Sequence, residues 1–255
     1  MRFLFLFLLW FPCEVVGHHR WAVAGGSGIC VSLPQVESNR GKLPPKTKVL
    51  RRVAPVFSLG LRYTFTPRWT GVLDVRTASL LEGIKTRNLV LERDAAGNVI
   101  SFGGPASQQR SAPAHFTLGA AYTLNPAARF KVAPEIGVGY MIVRQNFAST
   151  MIIESGIDQN RSDDEEEITY VLEPKYLRRG SAGAYAGLST TWQLTVHSGL
   201  SMAVQYYHGF DTISELRSTR FQYINRRTGI NDNYEVVIRN NGRYVAAKVL
   251  YSYTF

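Results

Sequence analysis

Eight separate stretches of this chain alternate apolar residues with small or polar ones at a period of two, and the connections between them alternate in length as well. The stretches are 21–33, 53–65, 70–79, 114–124, 129–145, 182–192, 199–210 and 243–255. The clearest is the second, where Phe57, Leu59, Leu61, Tyr63 and Phe65 share one parity and Ser58, Gly60, Arg62 and Thr64 the other. Successive side chains of a strand point to opposite faces, so this period predicts strands with one apolar face. Short connections fall at Thr66-Pro67-Arg68-Trp69, Asn125-Pro126-Ala127-Ala128 and Gln193–Ser198, and proline there supplies the fixed φ of a turn corner. Long connections fall at 34–52, 80–112, 146–180 and 211–241, and are expected to be loops.

The two faces decide what such a sheet encloses. Ala22, Ala24, Gly26, Gly28 and Cys30 form a row of small residues suited to the crowded interior of a narrow barrel. The opposite face collects Phe, Leu, Tyr and Val along the whole series, which places the apolar side outward. Strands of this length suit a tilted crossing of a hydrocarbon layer, and a β-structure in lipid must close so that no backbone edge is left unpaired. The expected fold is therefore all-β: an eight-stranded antiparallel up-and-down transmembrane β-barrel with short periplasmic turns and long extracellular loops. Trp21, Tyr63, Phe65, Trp69, Tyr122, Phe130, Trp192, Tyr253 and Phe255 lie toward the turn ends and are expected to form one aromatic girdle; Tyr140, Tyr206 and Phe57 contribute to the other. A soluble exported lipocalin-like barrel, the main architectural alternative, requires the reverse faces.

The apolar run Phe3–Pro12, preceded by Arg2, is far short of the roughly 20 residues of a spanning helix. With Val15-Val16-Gly17 after it, it reads as a signal peptide over 1–17, leaving 18–255 as the barrel domain. Trp10-Phe11-Pro12 ahead of Cys13 argue against a lipoprotein signal, and Cys30 alone forms no internal disulfide. The formal charge is +10, from 29 Lys+Arg against 19 Asp+Glu. These cations are dispersed and come with no basic helix or zinc spacing, so nucleic acid is not an expected partner. For an exported barrel the expected partners are outer-membrane lipid and anionic lipopolysaccharide, together with the barrel assembly machinery.

The last stretch carries a resemblance. Val245, Ala247, Val249, Tyr251, Tyr253 and Phe255 share one parity up to the final residue. This resembles the closing strand of bacterial outer-membrane barrels, in which a terminal Phe with alternate aromatic residues is the insertion signal; the resemblance assigns that role to Tyr251, Tyr253 and Phe255. The segments Pro134-Glu-Ile-Gly-Val-Gly-Tyr140 and Gln205-Tyr-Tyr-His-Gly-Phe-Asp-Thr-Ile213, with this strand, resemble the PorT-like outer-membrane β-barrel domain family over about residues 50–255. The family implies an outer-membrane location and an eight-stranded barrel, and no shared enzymatic chemistry.

Inward parity falls on Arg62, Asp74, Arg76, Lys131, Glu135 and Lys248, which are expected to form a lumen charge network, since an unpaired buried charge is costly. Folding about Pro67-Arg68 is expected to set Arg62 opposite Asp74 as an ion pair; folding about 125–128 sets Glu135 opposite Gly119, with Arg76 or Lys248 reaching it. The network reads as a plug that fills the lumen, with an ion-conducting path as its rival. Catalysis is not expected. A lipid-A-modifying barrel enzyme needs histidine with serine and an acid, and neither His115 nor His208 has both in register. His18-His19 lacks a third metal ligand, Asp163–Glu167 lacks the spacing and glycine of a calcium loop, and Gly25-Gly26-Ser27-Gly28 lacks the Lys-Ser/Thr ending of a phosphate loop, so no metal or cofactor is expected.

Overall fold

Alternation at period two gives strands throughout. The computed structural model describes residues 21–45, 47–49, 51, 53–78, 80–86, 89–93, 99–103, 106–111, 113–143, 152–158, 166–226 and 228–255. In chain order the strands are β1 (Trp21–Ser32), β2 (Gln35–Ser38), β3 (Thr47–Val49), β4 (Val53–Thr64), β5 (Trp69–Ala78), β6 (Leu80–Thr86), β7 (Leu89–Arg93), β8 (Val99–Gly103) and β9 (Ala106–Ser111). They continue as β10 (Ala114–Tyr122), β11 (Phe130–Ile142), β12 (Ile152–Asp158), β13 (Glu166–Tyr176), β14 (Gly180–Gln193), β15 (Ser198–Gly209), β16 (Ser214–Asn225), β17 (Ile230–Asn240) and β18 (Tyr244–Thr254).

Eight of these close into an antiparallel barrel in the order β1-β18-β15-β14-β11-β10-β5-β4. They are the eight stretches read from the sequence. The expected signal peptide, with Cys13, His18 and His19, lies outside the described residues. Pairing β1 with β18 shuts the wall, and the Phe255 N–H adds a hydrogen bond to the Trp21 carbonyl at 2.9 Å. Paired residues followed once round the wall from Ala22 run through Arg62, Val72, Gly119, Gly137, Tyr185, Tyr207 and Tyr244 to Ser32, ten residues further along β1. That stagger tilts the strands by about 40° and leaves an interior only wide enough for side chains.

Two registers differ from expectation, each by two residues. In the β4–β5 hairpin the last pair is Thr64↔Thr70, and the Phe65 N–H donates to the Trp69 carbonyl at 2.9 Å. The turn is thus centred on Pro67, so Arg62 faces Val72 and Asp74 faces Gly60. Between β10 and β11 the Asn125 side chain spans the turn, donating to the Phe130 carbonyl and accepting from the Val132 N–H at 2.8 Å. This moves Glu135 opposite Ala121. A two-residue shift keeps every side chain on its expected face and changes only its cross-strand partner.

The long connections are not simply loops. They hold a seven-stranded sheet, β2-β17-β16-β13-β12-β7-β8, and a three-stranded sheet, β3-β6-β9, which together form an extension above one end of the barrel. Ile168, Tyr170 and Leu172 of β13, Leu216, Phe221 and Tyr223 of β16, and Tyr234, Val236 and Ile238 of β17 bury one face with Ile84, and Tyr170 stacks on Phe221 at 4.9 Å. The interior of the extension is apolar, and Ile230 is the exposed large apolar residue beyond the rim whose side chain is described. The barrel wall shows the opposite distribution. Phe57, Leu59, Leu118, Ile136, Val138 and Met202 are all more than half exposed around a charged interior.

Candidate functional site

The charged interior of the barrel is the candidate site. Asp74 and Arg76 come from β5, Glu135 from β11, Gln205 from β15, Lys248 from β18 and Arg62 from β4, and the inward parity of each strand brings them together. The Asp74, Arg76, Glu135 and Lys248 side chains are essentially removed from solvent. Glu135 is the hub of one half. Its Oε2 accepts a hydrogen bond from Gln205 Nε2 at 2.7 Å, and its Oε1 lies 3.5 Å from Arg62 Nη1. Arg76 ties this half to the other, donating from Nη1 to Gln205 Oε1 and from Nη2 to Thr117 Oγ1, each at 2.8 Å. Asp74 Oδ2 sits between Arg76 Nη2 at 3.7 Å and Lys248 Nζ at 3.6 Å, and Lys248 Nζ also lies 3.4 Å from Ser58 Oγ.

Five of the six charges expected in the lumen thus form one continuous network, with altered pairings. The expected Arg62–Asp74 pair is not made, because the turn centred on Pro67 carries Arg62 down to Glu135. Glu135 takes neither Arg76 directly nor Lys248, since Gln205 is interposed. Lys131 stands apart. It is half-buried at the turn-end mouth, where with Thr191, Ser198, Ser252 and Thr254 it lines a cavity of about 110 Å³. Gln205 is the functional member that charge-spotting missed; its signal is an amide in an inward row between Ala203 and Tyr207.

The glycines of the inward faces make room for this network. A Cβ on Gly60 would collide with Asp74 Oδ1, one on Gly119 with the Tyr185 hydroxyl, and one on Gly187 with Gln205 Cγ. Tyr185 fills the space over Gly119 and Gly137 and lies against the Arg76 guanidinium, 5.4 Å from ring centroid to Cζ. Toward the extension an aromatic layer follows. Tyr207 and Tyr244 stack at 5.6 Å, and the fully buried His115 meets both rings edge-on at 5.2 and 5.1 Å. Met141, Val143 and Ile213 close over these rings. Gly242, at φ 71°, packs its backbone on Met141, where the left-handed conformation and the sulfur 2.9 Å from a Cβ position both exclude a side chain. Cys30 is buried in this apolar layer as a small wall residue.

The remaining histidines are placed by other contacts. His208 joins Tyr206 Oη at 3.1 Å and Arg243 Nη2 at 3.3 Å on the outer wall. His197 Nδ1 reaches the Thr254 carbonyl at 3.2 Å beside the turns. Among the described residues no group of three His, Cys, Asp or Glu side chains has metal-binding geometry. The aromatic girdle forms at the turn end as expected: Trp21 meets Tyr63 at 4.6 Å, Tyr63 meets Phe65 at 4.9 Å, Trp69 meets Tyr122 at 4.9 Å and Tyr253 meets Phe255 at 5.4 Å. Arg68 donates to the Tyr122 hydroxyl at 2.9 Å, and the Arg129 guanidinium lies over Trp192. Tyr251, Tyr253 and Phe255 all point out from the wall.

No protein-family model and no curated protein matches this sequence. Solved structures with a similar chain path include the outer membrane protein OprG from Pseudomonas aeruginosa, at 15% identity and TM-score 0.48, covering 94% of this chain and 98% of that one. A major outer membrane protein from Thermus thermophilus is similar at 12% identity and TM-score 0.43, covering 92% and 98%. AlkL, an outer membrane protein, is similar at 12% identity and TM-score 0.42, covering 96% and 95%. At these scores the likenesses carry no functional inference, and the closed eight-stranded barrel stands on the strand pairing of the chain itself.

Proposed function

We propose that this chain is a bacterial outer-membrane β-barrel protein with a plugged lumen, serving a structural or surface-contact role through its β-sheet extension. The observation that carries the reading is the inversion between the two halves of the molecule. The closed barrel turns its apolar side chains outward and buries its charges, whereas the extension buries its apolar side chains. Water on the outside of the barrel would penalise that arrangement heavily; a hydrocarbon layer on the outside favours it. The girdle of Trp69, Trp192, Tyr63 and Phe255 then marks the periplasmic interface, and the extension faces the cell exterior. The resemblance of residues 134–140 and 205–213 to the PorT-like family agrees with this reading.

The plug follows from the network. Arg62, Asp74, Arg76, Glu135, Gln205 and Lys248 are linked across the lumen, and Met141, Tyr207, Tyr244 and Ile213 seal it toward the extension. Exposed Lys48 and Arg51 on the extension side supply charge for anionic lipopolysaccharide, and Tyr251, Tyr253 and Phe255 present an exposed aromatic row to the assembly machinery. Fractionation with heat-modifiable gel migration tests the location; a folded band in the outer membrane is expected, and recovery as soluble periplasmic protein overturns the reading. Planar-bilayer recording tests the plug; steady single-channel currents from the wild-type protein overturn it.

A further inference from the structure

Just ahead of β18, at the extension end of the barrel, Arg243 shares the outward parity of Val245 and Val249 and is half-buried on the wall. Among the described residues it has no carboxylate partner. The acids of the neighbouring connections are taken, Asp211 by Arg178 at 2.9 Å and Glu37 and Glu215 by Arg239. The Arg243 guanidinium makes one hydrogen bond, from Nη2 to His208 Nε2 at 3.3 Å, and its Nε is buried with no acceptor. An arginine only donates, so His208 Nε2 accepts, and the imidazole proton sits on Nδ1, donated to Tyr206 Oη at 3.1 Å. Tyr206 Oη thus keeps its own hydrogen, and the guanidinium keeps its remaining N–H groups. A cation with unused donors on a lipid-facing wall is costly unless an anion meets it.

The same two strands carry an apolar groove. Ala247 of β18 is paired with Ile29 on one side and Val204 on the other, a small side chain between two larger ones. It floors a groove of about 370 Å³ on the outer wall, lined also by Leu188, Met202 and Val249. Arg243 and Ala247 lie four residues apart in one row, about 13 Å of strand. The donor cluster therefore sits at the membrane-surface end and the groove runs from it toward the middle of the wall.

The geometry points to a binding site for a phosphorylated acyl lipid of the outer leaflet, its phosphate on Arg243 and Tyr206 and one acyl chain over Ala247. Charge complementarity selects the phosphate, and the groove beneath selects a lipid over free phosphate. The assignment rests on the outer-membrane reading, and the two fail separately. A protein that fractionates as a folded outer-membrane barrel, yet does not distinguish a phosphorylated lipid from a neutral one, loses only the lipid site.

The test is native mass spectrometry of the full chain in non-ionic detergent, titrated with dimyristoyl phosphatidic acid, dimyristoylglycerol or inorganic phosphate. One phosphatidic acid is expected to be retained, with affinity about ten- to a hundredfold above dimyristoylglycerol and above phosphate. Arg243→Met is expected to remove that preference, Arg243→Lys to keep most of it, and Arg129→Met at the opposite girdle to leave it intact. Ala247→Phe fills the groove and is expected to weaken phosphatidic acid binding with Arg243 in place. Equal retention of phosphatidic acid and dimyristoylglycerol by the wild type, free phosphate binding as tightly as the lipid, or an unchanged preference in Arg243→Met overturns the site. So does a lipid-free dimer, which would assign the groove to a second copy of the chain. Should Arg243→Met lose its heat-modifiable folded band, Ala247→Phe decides, and unchanged phosphatidic acid affinity there overturns the site.

Discussion

Glu135 holds half of the plug, so its removal shows whether these contacts stabilise the barrel. In Glu135→Ala the Gln205 Nε2 donor loses its 2.7 Å acceptor, and Arg62 loses the carboxylate 3.5 Å from its Nη1. A hydrogen bond to a charged group contributes about 1.5–3 kcal/mol, and an abandoned buried donor costs about 1–3 kcal/mol. Breaking a fully buried ion pair costs about 3–5 kcal/mol. The Arg62 contribution falls below that range, because its side chain keeps 15% of its exposure and the contact is long. These terms overlap, and the expected loss is about 3–5 kcal/mol. Urea unfolding of protein refolded into lipid vesicles, followed by tryptophan fluorescence, measures it. Double-mutant cycles then divide it: Glu135 with Gln205 is expected to couple by about 1.5–3 kcal/mol, and Glu135 with Arg62 by about 1 kcal/mol or less. A loss below about 1 kcal/mol at unchanged urea dependence, or a stronger coupling to Arg62 than to Gln205, refutes the reasoning.

Leu59→Arg places a charge on an exposed position of the outer wall; a water-facing site would tolerate it within about 0.5 kcal/mol, whereas a lipid-facing one near the midplane loses about 2–4 kcal/mol in the same vesicle titration. Deleting Phe255 removes the N–H bond to Trp21 and the outermost ring of the closing strand, and is expected to lower the folded outer-membrane fraction more than any single substitution in the extension, read by heat-modifiable migration. Gly119→Val drives a side chain into Tyr185 and the Ile136 carbonyl, with an expected loss of about 1–3 kcal/mol or more; Gly119→Val combined with Tyr185→Phe, which keeps the ring, is expected to recover little, since the carbonyl clash remains.

The extension escaped sequence reading for a definable reason. In β13, Ile168, Tyr170 and Leu172 alternate as clearly as any barrel strand, and in β17 Tyr234, Val236 and Ile238 do the same. Their other faces carry Glu173 and Lys175, and Asn233 and Glu235, and the segments lie between proline, glycine and charge, so composition pointed to loops. The same period read without regard to overall polarity finds them. Gln205 was missed because attention to formal charge passes over an amide, although an amide can accept from Arg76 and donate to Glu135 at once.

Period two alone determined which face each barrel side chain occupies, because a strand permits only two directions and one apolar face repeated through eight segments leaves a single consistent closure. That placed Arg62, Asp74, Arg76, Glu135 and Lys248 inside before any pairing was known. Which carboxylate meets which cation was decided by tertiary structure. Each hairpin register depends on where the turn hydrogen bonds close, at Phe65–Trp69 and around Asn125. A shift of two residues there leaves the face unchanged and replaces the partner. Contacts across the lumen, such as Lys248 to Asp74 and Gln205 to Glu135, depend in addition on the ten-residue stagger of the whole wall, a property of all eight strands together that no one stretch of sequence contains.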